Sequence, residues 1–398
     1  MHEVGDKEAA LWGRAGAQAL RQRSGFDPPP HPWSACPELD CLRGRIPSAI
    51  LAAATERAHA LDVGADRVLM AAGVIDEETY VRALAAWLGL DFEALDHRRR
   101  SECPLSEEQL IEAGRTGVLP IGPKGAEALT IVPAVADSRG LVRAASTGAG
   151  ASRRMRLTTS ERLNRFVASR AAARIGRIAG HGLNAAHPDL SAAGGNAARP
   201  AMMLIPILAL ALLAAPMATI GTIEALLAAA FLSWTGLRIA SMLSPPAHPR
   251  RHRRYRDADL PIYTVIVALY REAVAVPGLI AALEELDYPR EKLDLKLALE
   301  SEDMATIDAV RAMHRRLPCE IVIAPREGPK TKPKALNAAL LSARGAMIAI
   351  YDAEDRPESN QLRLALEAFA TGDERLACVQ ARLTIDNTAD TWLTRGLR

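Results

Sequence analysis

The sequence is poor in aromatic residues and cysteines, and this argues against a secreted, disulfide-stabilised protein. Aromatic residues make up 4% of the chain, and there are five cysteines. Cys36 and Cys41 have four residues between them and no matching pair downstream, so no zinc-binding pattern is complete. An odd number of cysteines without a framework indicates reduced thiols in a cytosolic setting.

Two common nucleotide-binding motifs and a signal peptide are also missing. No Gly-x-Gly-x-x-Gly follows the first strand predicted after residue 260, and Gly-x-x-x-x-Gly-Lys-Ser/Thr does not occur. The chain therefore fits poorly with Rossmann dehydrogenases and P-loop NTPases. Residues 1–23 carry charges throughout and contain no apolar stretch, unlike a signal peptide. The net charge of +2 implies no general affinity for polyanions.

In contrast, residues 201–243 form one long apolar segment whose only charged members are Glu224 and Arg238. About 20 apolar residues cross a bilayer, so the segment predicts two transmembrane helices, 201–220 and 223–243. The alternative is a buried helix pair in a soluble protein, which would normally show a polar stripe.

The basic residues beside this segment predict its orientation. Five arginines lie in 249–256, Arg199 and an arginine-rich segment precede the first helix, and the turn between the helices has none. By the positive-inside rule, both flanks face the cytosol. We therefore expect a multi-pass protein of the inner (cytoplasmic) membrane, with the regions before and after the hairpin both cytosolic.

The arginine-rich segment covers 151–177 and contains eight arginines and one acid, Glu161. A basic helix next to a membrane span is attracted to anionic lipid, and a solvated helix face is the alternative. Nucleic acid is not an expected partner, because Phe166 is the only aromatic residue there. Residues 180–200 are rich in Ala, Gly and Asn and predict a linker, so 151–200 is interpreted as a basic helix followed by a linker.

Residues 1–45 are interpreted as a disordered leader and 46–150 as a small, mainly helical domain. Helices are predicted over 48–61, 63–72 and 77–88, the last capped by Asp76. Ser106 and Gln109 have the spacing of a capping box for a further helix. Two short strands are predicted over 118–121 and 128–135.

This region resembles the small N-terminal domain of type II secretion ATPases and of some bacterial glycosyltransferases. The residues that carry the resemblance are Leu69, Gly73, Val74, Ile75, Tyr80, Ala83, Leu84, Leu88, Gly89 and Leu90. Some members bind cyclic di-GMP through an Arg-Leu-Gly start and a late Gln, but here Asp66 and Trp87 hold the Gly and Gln positions. The resemblance therefore implies the fold and a role in docking a protein partner or in structure, rather than nucleotide binding.

From residue 260 onward, apolar β-rich runs alternate with helical patterns. The predicted strands are 263–268, 295–299, 320–323, 347–351 and 377–381, and the predicted helices are 276–286, 305–316, 334–343 and 358–370. Such alternation predicts an α/β domain with a parallel sheet covered on both faces. Right-handed crossovers place all loops that follow strands at one edge of the sheet.

Those loops carry the candidate site residues. They are Tyr270 and Glu272 after the first strand, Glu300, Glu302 and Asp303 after the second, Lys332 and Asn337 after the third, and Asp352, Glu354 and Asp355 after the fourth. Carboxylates suit Mg²⁺ or Mn²⁺, and lysines neutralise phosphates. The pattern thus predicts a site for an anionic ligand with a metal, at Asp352, Glu354 and Asp355. Acids that merely favour a helix N-terminus are the alternative.

These segments resemble the family 2 glycosyltransferases of the GT-A fold, especially membrane enzymes related to cellulose synthase. Lys332-Pro333-Lys334-Ala335-Leu336-Asn337 is similar to their Lys-x-x-Ala-Leu-Asn segment, and Asp352-Ala353-Glu354-Asp355 to their Asp-x-Asp metal motif. The resemblance implies that residues 260–398 are the donor-binding half of a GT-A domain. It further implies binding of a nucleotide sugar, most simply a UDP-sugar, by Tyr270, Glu272, Glu300, Glu302, Asp303, Lys332, Asn337 and Asp352.

The family chemistry is a single inverting displacement onto a glycan or lipid acceptor in polysaccharide biosynthesis. The family's catalytic Asp lies in a Thr-Glu-Asp motif, which does not occur in this sequence. We therefore expect no catalytic base within the chain, a base beyond Arg398, and no turnover by this chain alone. The alternative function is a membrane adaptor, or a docking protein responsive to cyclic dinucleotides, with a vestigial GT-A half.

Overall fold

A computed structural model describes residues 36–381, except 124, 126–128, 136, 147–153, 192–197, 244–254 and 314–315. The chain divides into two compact units. The first combines the residues up to Gly180 with those from Arg254 onward, and the second runs from His181 to Arg253. Each is described by itself below.

The N-terminal part of the first unit is mainly helical. Its helices are α1 (Ser48–Leu61), α2 (Ala65–Ala71), α3 (Glu77–Leu88), α4 (Glu107–Thr116), α5 (Ser138–Ser146), α6 (Ser160–Arg170) and the start of α7 (Ala172–Ala186). Its strands are β1 (Asp91–Phe92), β2 (Val118–Ile121), β3 (Thr130–Pro133) and β4 (Arg156–Leu157). β2 and β3 pair antiparallel, and β1 and β4 pair parallel. We call residues 36–180 the N-terminal module.

The predicted helix caps are confirmed. The Asp76 carboxylate accepts a hydrogen bond from the Thr79 amide at 2.8 Å, so it satisfies one of the free N–H groups at the start of α3. Ser106 and Gln109 form both hydrogen bonds of a capping box at the start of α4.

The predicted disordered leader is too long at its C-terminal end. Residues 1–35 lie outside the described part of the chain, but Pro37–Leu42 forms a 3-10 helix. Leu39 and Leu42 belong to the core of the N-terminal module, and the Tyr80 hydroxyl donates to the Glu38 carbonyl at 3.0 Å. Burial against residues far along the chain orders this segment, and local composition does not reveal that contact.

The arginine-rich segment is not one basic helix. It contains β4, α6 and the first part of α7, and several of its arginines pair with acids of the N-terminal module. Arg162 contacts Glu78 and Asp96, and Arg174 lies 3.1 Å from Glu108. These pairs offset part of the basic charge of the segment. The predicted linker also begins too early, since α7 extends to Ala186.

The second unit contains two apolar helices, α8 (Ala198–Ala214) and α9 (Pro216–Leu243). One candidate membrane span, Pro216–Ser241, meets the requirements of length and composition, and Leu204–Ala214 is a shorter apolar helix. The predicted turn near Gly221 is wrong, because the break lies at Ala215. Pro216 has no amide hydrogen and disfavours helical backbone at the residue before it, whereas glycine is tolerated inside an apolar helix.

The C-terminal part of the first unit alternates strands and helices. The strands are β5 (Tyr263–Leu269), β6 (Leu293–Glu300), β7 (Glu320–Ala324) and β8 (Met347–Tyr351). The helices are α10 (Val276–Glu284), α11 (Met304–Met313), α12 (Lys332–Leu340) and α13 (Gln361–Thr371). All three strand pairings are parallel, in the order β7-β6-β5-β8. The predicted α/β class with a parallel sheet is confirmed.

Two apolar clusters cover the two faces of the central strands, while Ile348 and Ile350 of the edge strand β8 are exposed. One contains Val265, Val267, Leu279 and Leu297, and the other is built around Ile266 with Ala335 and Ala339 of α12. The predicted fifth strand, 377–381, is wrong, because these residues form no ladder among those the structure describes. A strand requires a hydrogen-bonded neighbour as well as β-forming residues.

Candidate functional site

The end of β8 places a group of carboxylates beside the central strand β5. Tyr351 pairs with Val267, so Asp352 begins its loop at the same sheet edge as the loop after Leu269. This is the edge at which open α/β sheets bind ligands. Buried Tyr351 and Ala353 anchor the turn in the core, and Asp352 and Glu354 lie exposed to solvent.

The three acids of this turn have different surroundings. Asp355 accepts a hydrogen bond from the Asp352 amide at 2.7 Å, so its carboxylate stabilises the turn itself. Asp352 accepts a hydrogen bond from the Lys332 ammonium group. Glu354 is exposed. Two carboxylates, Asp352 and Glu354, therefore face solvent, where an ion or ligand can reach them.

The lysines of the loop between β7 and α12 reach the acids of two neighbouring loops. Lys332, at the start of α12, contacts Asp352, and Lys330 contacts Glu302. Lys334 has a different environment, since it is 1% exposed and donates to the Pro325 carbonyl at 2.6 Å. The predicted convergence of lysines and carboxylates at one sheet edge is therefore present in the structure.

The acidic turn after β6 contains one buried acid that is incompletely paired. Glu300 is 6% exposed, and its Oε1 lies 3.8 Å from Lys334 Nζ. Its Oε2 has no hydrogen-bond partner among the described residues. A buried carboxylate oxygen without a donor is costly, so this atom is well suited to accept a hydrogen bond from a ligand.

Asp303 supports the site instead of facing it. It is 8% exposed, and its carboxylate accepts hydrogen bonds from the Arg271 amide at 2.5 Å and the Thr306 amide at 3.3 Å. Burial alone would raise the pKa of Asp303, but these hydrogen bonds outweigh it and lower the pKa. The three-residue spacing from Asp303 to Thr306, just before a helix, is the sequence signal for this capping role.

Asp303 also holds the loop after β5. Arg271 has a φ of 59°, which a non-glycine residue rarely adopts, and the hydrogen bond from its amide to Asp303 stabilises that conformation. The Glu272 amide donates to the Thr306 hydroxyl at 3.1 Å. The Tyr270 ring is 45% exposed, and the Arg271 guanidinium lies 5.1 Å from its centroid. An exposed aromatic surface thus lies beside the acidic turn.

Asn337 has a partner outside the sheet edge. Its Nδ2 donates to the carbonyl of Ala179, in α7 of the N-terminal module, at 2.8 Å. The sequence predicts that Asn337 contacts the nucleotide sugar, and it does not predict this hydrogen bond to a residue far away in the chain. The two residues are 158 positions apart, so no local sequence pattern predicts their contact.

The residues present suit one kind of metal site. The described residues contain no group of three His, Cys, Asp or Glu side chains placed to hold a metal ion. Asp352 and Glu354 alone would make an incomplete cage for an ion held only by protein. Mg²⁺ is commonly held by one or two carboxylates together with substrate phosphates, and the exposed pair fits that arrangement. The metal assignment to Asp352, Glu354 and Asp355 remains a prediction.

Comparison with known proteins gives the family of the sheet domain. Residues 261–397 match the family described as "Glycosyltransferase like family 2". Residues 261–397 are therefore a family 2 glycosyltransferase domain. The predicted family is thereby confirmed for this part of the chain, while the resemblance of the N-terminal module to secretion ATPases remains a prediction.

Two curated relatives and one solved structure are similar to this domain. A protein named "Probable glycosyltransferase YdaM" of Bacillus subtilis is 26% identical over 34% of this chain and 33% of its own length. A beta-monoglucosyldiacylglycerol synthase of Trichormus variabilis is 24% identical over 38% of this chain and 32% of its own length. The Pyrobaculum calidifontis mannosyltransferase PcManGT, solved with GDP-Man and Mn²⁺, is 31% identical, with a TM-score of 0.31 over 37% of this chain and 43% of that one.

The matched segment spans about a third of the length of both curated relatives. The domain's family is thus established, whereas the activity of the whole protein is a matter for proposal.

Proposed function

We propose that the protein is a membrane-bound glycosyltransferase that takes a sugar from a nucleotide-sugar donor, with a UDP-sugar as the best candidate. The contact of Lys332 with Asp352 carries the proposal, because it joins a cation and an exposed carboxylate from two loops at one sheet edge. When such a pair separates, the lysine can bind a diphosphate and the carboxylate can bind a metal ion.

Charge complementarity supports a diphosphate ligand. Lys330 and Lys332 are both at least partly exposed, and each is paired only with an exposed acid among the contacts described here. Exposed ion pairs contribute little free energy, so a phosphate can replace the acid without a large cost. Asp352 and Glu354 would hold Mg²⁺ or Mn²⁺, which supplies the charge that stabilises a departing nucleoside diphosphate.

The nucleoside would lie between the loops after β5 and β6. Glu300 offers a buried acceptor, Oε2, for an N–H or O–H group of the ligand, and the exposed Tyr270 ring offers a surface for stacking. Asp303 acts through the backbone of Arg271 and keeps this loop in place. The predicted contacts of Glu272 and Asn337 with the nucleotide sugar are part of this proposal.

The membrane setting of the proposal is supported by α9. Its apolar stretch Pro216–Ser241 is long enough to cross a bilayer, and α8 adds a shorter apolar helix. We propose that the pair forms a hairpin in the inner (cytoplasmic) membrane, with the N-terminal module and the glycosyltransferase domain in the cytosol, where nucleotide sugars are made. A glycan or lipid acceptor, transfer with inversion and a role in polysaccharide biosynthesis follow from the family resemblance and are parts of the same proposal.

The test is metal-dependent nucleotide binding by the full chain in nanodiscs. We expect UDP with Mn²⁺ to raise the melting temperature and to bind in calorimetry, with GDP as the competing ligand. Asp352→Asn should abolish the effect of Mn²⁺. Asp308→Asn is the matched control, because Asp308 is an exposed acid on α11 that pairs only with Arg311 among the contacts described here.

Two results would contradict the proposal. One is a well-folded protein that binds neither UDP nor GDP in the presence of metal, which would favour the adaptor function. The other is an equal response to Mn²⁺ and UDP in Asp352→Asn and in the unmodified protein.

A further inference from the structure

The loop that carries the site lysines lies directly on a helix of the N-terminal module. Residues 325–331 connect β7 to α12, and Gly176 of α7 touches their backbone. A Cβ atom added to Gly176 would lie 2.8 Å from the Glu327 carbonyl oxygen and 2.9 Å from Glu327 Cβ. Distances this short do not occur for real Cβ atoms, so only glycine allows this approach.

Two further glycines contribute to the same contact. A Cβ atom at Gly180 would lie 3.1 Å from Pro329 Cδ. Gly328 has a φ of 85°, which favours glycine, and its Cβ position lies 3.4 Å from the Gly176 carbonyl oxygen. The helix and the loop therefore meet backbone to backbone.

A hydrogen bond and an apolar cluster attach α12 to the same helix. Asn337 Nδ2 donates to the Ala179 carbonyl at 2.8 Å. Ile175 and Ala179 of α7 share a buried cluster with Ala338 of α12. Contacts on both sides of the α12 N-terminus thus fix where the loop enters the helix.

This loop and the first turn of α12 carry three lysines near the site. Lys330 contacts Glu302, Lys332 contacts Asp352, and buried Lys334 donates to Pro325 within the loop itself. A shift of the loop backbone would therefore displace the Lys330 and Lys332 ammonium groups from the carboxylates they now contact.

We propose that α7 is a positioning element of the nucleotide-sugar site, in which Gly176 and the Ala179–Asn337 hydrogen bond hold the lysine loop in register with the acids of the sheet edge. The inference rests on the proposed function, since it assigns the lysines to the diphosphate. It adds a role for the N-terminal module, which lies outside the segment matched by the family. Gly176 and Ala179 are positioning residues, because they act through the loop and not on the ligand.

The experiment compares Gly176→Val with Gly278→Ala in the full chain. Gly278 lies in α10 and has nothing within 4 Å of an added Cβ atom, so its substitution should leave the site unchanged. In Gly176→Val, we expect faster hydrogen exchange in 326–331 than in the unmodified protein, with exchange in β5 and β6 unchanged. The dissociation constant for UDP with Mn²⁺ should rise about tenfold, which corresponds to about 1.4 kcal/mol.

Uridine separates positioning from general damage. Because the lysines would contact phosphates, Gly176→Val should weaken UDP binding while uridine binding, followed by saturation-transfer NMR, changes by less than about twofold. Asn337→Ala should show the same selectivity with a smaller loss for UDP, since it removes one hydrogen bond and introduces no clash. It should also speed hydrogen exchange in 326–331 without ligand, which loss of a direct contact between Asn337 and the ligand would not do. If Gly176→Val does not fold, Gly180→Ala and Asn337→Ala provide the same comparison.

The outcomes separate this inference from the proposed function. Unchanged exchange in 326–331 in folded variants would overturn the inference, as would equal losses for UDP and uridine. If the unmodified protein binds no nucleotide, the proposed function fails, and the exchange data alone decide whether α7 positions the loop.

Discussion

In the glycosyltransferase domain, the lysine–carboxylate contacts around Lys296 and those of the sheet edge at Lys330 and Lys332 differ in burial. In the first, Lys296 on β6 is 0% exposed, with its Nζ 2.6 Å from Glu320 and 3.4 Å from Asp294. In the second, at the sheet edge, Lys330 and Lys332 contact Glu302 and Asp352, and all four side chains are more than a third exposed. The same residue types thus form a closed network in one place and open pairs in the other.

The buried set is structural. Asp294 also accepts hydrogen bonds from Arg344 and Thr264, and Glu320 accepts one from Asn164 of the N-terminal module. Burial would raise the pKa of Asp294, but the charges of Arg344 and Lys296 outweigh it and lower the pKa. Lys296, Asp294 and Glu320 all have partners within the protein, and the Asn164–Glu320 hydrogen bond joins the module to the sheet.

The exposed set has the opposite property. Its pairs are weakened by water and salt, so a ligand can displace them at little cost. The comparison shows that burial with a full set of partners, and not the residue types, distinguishes this structural ion network from the exposed pairs of the candidate site.

Removal of Lys296 should give the largest effect. Lys296→Ala leaves Asp294 and Glu320 with fewer partners in a buried site, and we expect a loss of about 3–5 kcal/mol in the free energy of unfolding. Denaturant titration of the full chain in nanodiscs measures it. A loss below about 1 kcal/mol would mean that the buried network contributes no more to stability than an exposed ion pair does.

Removal of Lys332 should affect binding more than folding. If Lys332 contacts a phosphate, Lys332→Ala should weaken UDP binding by about 1.5–3 kcal/mol, the usual contribution of a hydrogen bond to a charged group. The melting temperature should stay close to that of the unmodified protein, because the lost ion pair is exposed. Calorimetry with UDP and Mn²⁺ gives the answer, and Lys332→Arg, which keeps the charge, should retain part of the affinity.

Asp66 is a buried acid of the N-terminal module, and its substitution should change the pH dependence of stability. It is 3% exposed, and burial raises its pKa, so folding favours the protonated carboxyl. This contribution to stability is complete below the unfolded pKa of about 3.9 and is lost as the pH rises through the folded pKa. Asp66→Asn should therefore raise the free energy of unfolding at pH 7 by about 1 kcal/mol, the usual size of a single-residue effect.

The pH dependence of thermal melting checks the Asp66 prediction. The gain should shrink as the pH falls and should vanish well below about 3.9, where the acid is protonated in both states. Asp62→Asn, at an exposed neighbouring position, should produce no pH-dependent gain. A constant gain across the pH range would show that the charge of Asp66 is not its cause.

Lys330→Ala should give the smallest effect. We expect almost no change in the free energy of unfolding, because the Lys330–Glu302 pair is exposed. The hydrogen bond from Lys330 lowers the pKa of Glu302, so this pKa should return upward in the variant. NMR titration of the Glu302 carboxylate measures it, and an unchanged pKa would show that the pair does not persist in solution.

The sequence was sufficient for most of the local structure. Met347–Tyr351 is a strand as predicted, and Asp76 and Ser106 cap helices as predicted. These features depend on neighbours within a few residues, so composition and spacing reveal them. The placement of acids and lysines at one sheet edge was also predictable, because parallel strands with right-handed crossovers leave no other arrangement.

The roles of individual side chains were less predictable. Asp303 and Asp355 bind backbone amides instead of facing solvent, and Asn337 binds the Ala179 carbonyl. Arg162 of α6 pairs with Glu78 and Asp96, which precede it by more than 60 residues in the chain. Each of these contacts depends on which surfaces meet after folding, and a pattern of neighbouring residues contains no information about that.

By itself, the sequence determined the strand–helix order of the domain and the edge where charged residues gather, because these depend on local periodicity and chain connectivity. Its motifs carried the resemblance to the family. The tertiary structure alone decided which of those charged groups remain accessible to a ligand and which are paired within the folded protein. It also decided that the lysine loop lies on Gly176 of the N-terminal module. The physical reason is that burial and long-range packing set the partners of a side chain, and both arise only when distant parts of the chain come together.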